Sequence, residues 1–207
     1  MFIAEIPLNL KTILSGELGP VTGIHMFPGI SGFQGEPATE EMYLLLSRYD
    51  GDLEEGLVEL VDLRTFKILH TWNPDIDLFN SLVDTSRKEF EYLERDNNNK
   101  RAVLINPMLT DDGGLVFMTA PLRKINSCSD LVWQNDEDKF HHSIEIDNEG
   151  NIWAPSHIYP SAISTEKVGE NYLDDGITQV SQDGEIIFQK SVSEIFMEND
   201  MDYLLFS

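Results

Sequence analysis

Apolar residues in this chain recur in short runs separated by acidic or glycine-containing turns, the pattern of antiparallel hairpins rather than of long helices. Leu109-Thr110-Asp111-Asp112-Gly113-Gly114-Leu115-Val116-Phe117 and Ile146-Asp147-Asn148-Glu149-Gly150-Asn151-Ile152-Trp153-Ala154 share one form: an apolar residue, a polar turn with Gly, then apolar residues. Gly tolerates the positive φ that such turns need, so each stretch predicts strand, tight turn, strand. A second repeat aligns Ile125 to Gln134 without a gap on Val180 to Gln189, and Leu60 to Trp72 is a third copy with a longer turn. Both end in apolar and aromatic outer strands.

Taken in order, the hairpins predict an all-β chain with about three four-stranded antiparallel units, over residues 23–74, 100–134 and 140–192 of one domain spanning 1–207. A four-stranded sheet cannot bury both faces alone, so the units must stack face to face, as blades do in a β-propeller-like array. A β-sandwich built from the same meanders is the competing architecture. Residues 76–94 carry Ile76, Leu78, Phe79, Leu82, Val83, Phe90 and Leu93 near a helical period, which predicts an amphipathic helical insertion between units. Residues 161–173 read as a long loop, and residues 191–207 start as a helix and end in the apolar run Tyr203 to Phe206. Three blades are fewer than the roughly four of a closed propeller. An apolar tail without a closing turn therefore implies further blades, a truncated chain, or open blade faces that self-associate.

Composition narrows the partners. Lys and Arg number 14 against 37 Asp and Glu, and the net charge of -23 repels phosphate backbones and anionic lipid, so nucleic acid is excluded as a partner. No apolar run is long enough to cross a membrane, and residues 1–10 lack the basic flank and continuous apolar stretch of a secretory signal. The lone Cys128 rules out an internal disulfide and a multi-cysteine zinc site. Compartment is left open by these features.

The reactive side chains concentrate at Phe140-His141-His142-Ser143-Ile144-Glu145-Ile146, which opens the third unit. In an alternating strand, His141 and His142 point to opposite faces, so only one of them can join a given site. Channel-lining inner strands are where propellers place their sites, and a neutral imidazole there is a competent nucleophile or base. A hydrogen-bonded structural pair is the alternative. His157 ends the next strand and could reach the same mouth or remain a partly exposed loop residue. Asp138, Glu145 and Asp147 stand near the histidines, but no HExxH or cysteine spacing makes a metal site specific, and neither a metal nor a cofactor is expected. The Asp-rich turns lack the ligand order of calcium loops. His25 and His70 stand alone.

The His141-His142 strand followed by Gly150-Asn151-Ile152-Trp153, together with Val58 to Leu63 leading to His70-Thr71-Trp72 and Asp174-Asp175-Gly176-Ile177 leading to Asp183-Gly184-Glu185, resembles the arylsulfotransferase (ASST) family of β-propellers. The resemblance implies transfer of a sulfuryl group from a phenolic sulfate to a phenol through a sulfohistidine. It places the nucleophile at His142, with His141 as the fallback, and substrate contacts at His157 and at Asn106, the second unit's counterpart of the histidine pair. The implied partners are a small aryl sulfate and a phenol. Family members draw further His and Arg from several blades and are often exported, whereas this chain supplies few clamps, which leaves a non-catalytic binding or assembly module as the alternative.

Overall fold

The computed structural model describes residues 32–164, 168–169 and 172–205. The beginning of the first expected unit, with His25, and residues 1–10 lie outside these residues, as does the very end of the apolar tail. The chain divides into Met1–Glu36 and Pro37–Ser207, and the architecture that follows is that of the second unit.

That unit is mostly β, with three antiparallel sheets. The first holds β1 (Tyr43–Asp50), β2 (Glu55–Asp62) and β3 (Lys67–Trp72) in that order. The second runs β4 (Ile105–Leu109), β5 (Leu115–Met118), β6 (Leu122–Ile125) and β7 (Leu131–Asn135). The third has β10 (Ile152–Ile158), β11 (Asp174–Val180) and β12 (Ile186–Ser191), and its edge is made of two short pieces, β8 (Lys139–Phe140) and β9 (Glu145–Ile146), both paired to β10. Where about four strands per unit were expected, the described residues hold three, four and five, with residues 23–31 of the first expected unit lying outside them. The fifth arises because one edge strand is interrupted at His141 and His142.

Burial explains the stacking. Every residue of β5 is buried: Leu115 and Phe117 belong to a core with Val58, Trp72 and Leu104, while Val116 and Met118 belong to another with Phe140, Ile152, Ala154 and Val180. The middle sheet therefore has both faces covered, one by the first sheet and the other by the third. Side chains at sheet ends clasp the neighbouring turns. Trp72 Nε1 donates to Gly113 O at 3.2 Å, Trp133 Nε1 to Gln182 O at 2.8 Å and Asn135 Nδ2 to Gly184 O at 2.8 Å. At Gly184, φ is +91°, and an added Cβ would lie 2.8 Å from the Trp133 ring, so the turn needs glycine twice over. His70 ties the first two sheets together: its Nε2 is 2.8 Å from Ser127 O, and its ring packs edge-on against Trp72.

The insertion is helical but is not one helix. It forms α1 (Ile76–Asn80), a 3₁₀ turn (Lys88–Phe90) and α2 (Leu93–Asp96). Asp75 caps α1 by accepting from Leu78 N at 3.0 Å. The break follows from Asp84, whose carboxylate accepts from Ser86 N at 3.0 Å and Ser86 Oγ at 2.6 Å. Such a local side-chain turn competes with helical hydrogen bonding. The helix expected after β12 is α3 (Val192–Glu198), with Ser191 Oγ accepting from Glu194 N at 3.1 Å.

Two turn carboxylates make the fold acid-sensitive. Hydrogen bonds from Thr110 and Gly114 N, with an ion pair to Lys124 at 2.9 Å, hold Asp112 down to about 2. Burial works to raise Asp147, but donors at Asn151 N, Trp153 Nε1 and Gln179 Nε2 outweigh it and bring that group also to about 2. Depressed carboxylates contribute stability that is full above their ordinary value of 3.8 and is lost as the pH falls through about 2. Asp138 has the opposite sign: burial raises it, so its contribution favours the folded state in acid. Urea denaturation across this range should show stability falling with acid, and Asp112→Asn should flatten the fall; parallel curves would contradict the assignment.

Candidate functional site

The site forms where the third sheet's edge strand is interrupted. Directly opposed residues in antiparallel strands project from the same face, and His157 on β10 pairs with Lys139 on one side and Asp175 on the other. The alternate residues Phe140, Ala154, Ser156 and Thr178 are buried toward the middle sheet. Lys139, His157 and Asp175 therefore occupy the face turned away from it, and His141 joins them.

The expectation that His141 and His142 diverge to separate faces is corrected. His142 has φ +66° and neither histidine lies in a strand, so the two-residue alternation does not apply. Their ring centroids are 4.8 Å apart in an edge-on arrangement, and His141 and His157 are 4.4 Å apart. Three imidazoles converge. His142 is exposed, whereas Ile144, two residues on, is buried.

His141 Nε2 and His157 Nε2 lie 3.2 and 3.3 Å from the same atom, Asp175 Oδ1. The His141 contact has ion-pair distance without hydrogen-bond alignment, and both His141 ring nitrogens, with His157 Nδ1, are buried without a hydrogen-bond partner. Burial pushes both imidazoles below their ordinary value. Asp175 pulls each back in part, while His142 and Lys139 add to the depression of both and His141 adds to that of His157. Neutral imidazoles are the result.

Asn106 does reach the pair, through the backbone. Its Nδ2 donates to His142 O at 2.9 Å, and its own φ is +44°, a conformation Asn adopts more readily than most residues. Asn106→Ala loses the hydrogen bond and strains the backbone, for about 2 kcal/mol in all, whereas Asn106→Gly loses only the bond, about 1 kcal/mol. Chemical denaturation of both variants checks this; equal losses would remove the backbone contribution.

Beside the cluster, Lys139 borders a cleft of about 310 Å³ that is also lined by Lys88, by the tyrosines Tyr92, Tyr159 and Tyr172, and by the carboxylates Glu89, Glu91 and Asp96. Two features were missed from the sequence: Asp175 as a partner of the histidines, and this tyrosine-lined cleft. The signal for Asp175 was the hairpin register, since a strand pair that aligns Ile152 with Val180 necessarily aligns His157 with Asp175.

These elements fall within one matched stretch. Residues 107–206 match the model of the arylsulfotransferase (ASST) family, a stretch that contains all three histidines of the cluster, Lys139 and Asp175, and starts one residue after Asn106. The family resemblance read from the sequence is thereby shown over that stretch. Among curated proteins, none matches this chain. No helix among the described residues is long and apolar enough to cross a membrane.

Proposed function

We propose that the protein is an arylsulfotransferase-like enzyme that moves a sulfuryl group from a phenolic sulfate to a phenol, with His142 as the nucleophile and its sheets arranged as successive propeller blades. The observation that carries this reading is the convergence of His141, His142 and His157 on one face inside the family-matched stretch. In the first step, an imidazole nitrogen of His142 attacks sulfur. The N–S bond forms, the S–O bond to the donor breaks, and the phenolate leaves. In the second, the acceptor phenol gives up its proton, which the phenolate released in the first step takes up, its oxygen attacks sulfur, and the N–S bond breaks, restoring the imidazole. His141 is the fallback nucleophile.

Lys139 and Lys88 supply positive charge for the three sulfuryl oxygens at the cleft edge, set against the carboxylates Glu89, Glu91 and Asp96 of the same lining, and Tyr92, Tyr159 and Tyr172 offer aromatic surface for donor and acceptor rings. His157 sits beside Lys139 as a substrate contact, whereas Asn106 acts by fixing the His142 carbonyl. The blade reading is supported by sheets stacked in chain order and by the recurring clasp of one sheet's outer-strand Trp on the next sheet's turn.

The test is turnover of an aryl sulfate with a phenol acceptor by wild type and His142→Ala. Turnover in wild type that disappears in the variant supports the assignment; equal activity removes it. No turnover in either, together with concentration-dependent self-association, would instead favour a binding or assembly module working through open sheet faces.

A further inference from the structure

We propose that His141, His157 and Asp175 form a binding site for a divalent transition-metal ion of the zinc class, separate from the nucleophile His142. The donor atoms of these three side chains lie within 4.8 Å of one another, the one such grouping among the described residues. Their spacing is the first argument. Zinc takes nitrogen and carboxylate oxygen ligands at roughly 2.0–2.2 Å in tetrahedral geometry, which sets neighbouring donor atoms about 3.3–3.5 Å apart. The two separations to Asp175 Oδ1 are 3.2 and 3.3 Å.

The second argument is the state of the ring nitrogens. Buried polar atoms in folded proteins nearly always have a partner, yet both nitrogens of His141 and Nδ1 of His157 have none. A ligand that accepts lone pairs resolves this where a proton alone does not.

Three adjacent strand segments hold the donors in place: His157 and Asp175 face each other in the β10–β11 ladder, and His141 follows β8 on the other side. The Asp175 side chain is 58% exposed, which leaves a route for the ion and a coordination position for water. Two imidazoles with one carboxylate suit zinc or cobalt rather than magnesium or calcium, which prefer all-oxygen sites. A net charge of -23 also enriches cations around the protein. Lys139 is the opposing charge on this face, and the carboxylate of Asp175 offsets it.

The experiment uses metal-free protein with no aryl sulfate present, so its outcome is independent of the transfer assay. Zinc is titrated calorimetrically, and cobalt is titrated while following the visible absorption of four-coordinate Co²⁺. Wild type should bind one equivalent. Asp175→Asn and His141→Gln should each weaken binding by at least about 100-fold, and His142→Ala should bind as wild type does. Circular dichroism identifies the folded variants, and the exposed Asp175→Asn change keeps the test valid if His141→Gln misfolds. Absence of saturable binding, binding unaffected by Asp175→Asn, or equal loss in His142→Ala would each overturn the site.

Discussion

Replacing His142 with alanine is expected to lower sulfuryl transfer by about a thousandfold or more, since removal of a covalent nucleophile leaves only the residual effect of binding and electrostatics. His141→Ala should cost far less, about tenfold, because its part is to hold the neighbouring ring. The difference follows from access. His142 is exposed at a left-handed backbone position that lifts it out of the strand, whereas both nitrogens of His141 are buried. A donor sulfur can approach the first ring in line and cannot approach the second without displacing His157 or Asp175. Incubation with a radiolabelled aryl sulfate and no acceptor should label wild type and His141→Ala but not His142→Ala. Label retained in His142→Ala and lost in His141→Ala would transfer the nucleophilic role to the buried ring.

The features that were legible in the sequence are those set by local chemistry. Asp-Gly and Gly-Asn turns between apolar runs marked the hairpins at residues 109–115, 146–152 and 180–186, because a turn type needs particular residues at particular offsets. The location of the candidate site was legible for the same reason, as the histidines follow one another along a hairpin. Their arrangement was not. Alternation holds only while φ stays negative and extended, and His142 has a positive φ with its carbonyl hydrogen-bonded by Asn106, 36 residues away in another sheet. Asp175 was hidden because its role arises from cross-strand pairing. The insertion misled in a different way: its apolar period is real, since Phe79, Phe90 and Leu93 are all buried, but the Asp84 turn divides it.

The same insertion is held to the middle sheet by a buried cation that composition gave no reason to single out. Arg123 on β6 has no exposed surface. It donates to Thr119 Oγ1 at 2.5 Å, Asn80 Oδ1 at 2.7 Å and Gln134 Oε1 at 3.1 Å, with its guanidinium 5.7 Å from the Phe79 ring centroid. Burial lowers it to about 10, against a small upward pull from Asp136, so it remains charged at neutral pH. A planar guanidinium can satisfy three divergent acceptors at once, which a Lys ammonium at the same depth does poorly.

Arg123→Ala is therefore expected to destabilise the fold by about 4 kcal/mol. The loss combines a cavity against Phe79 with buried acceptors on Asn80 and Thr119, and the half-buried one on Gln134, left without their donor. That is a large share of the roughly 5–15 kcal/mol that holds a domain together. Replacing a buried charge by an apolar residue often stabilises a protein, but here the partners are neutral side chains that stay behind unsatisfied, so desolvation relief does not dominate. Arg123→Met fills the space and separates the two contributions: it should recover the cavity part alone and still lose about 2 kcal/mol. Urea denaturation of the three proteins reads these values directly. An Arg123→Ala variant within about 1 kcal/mol of wild type would mean that Asn80 and Gln134 find other donors, and that α1 is fixed to the sheet by Ile76 and Phe79 without the guanidinium.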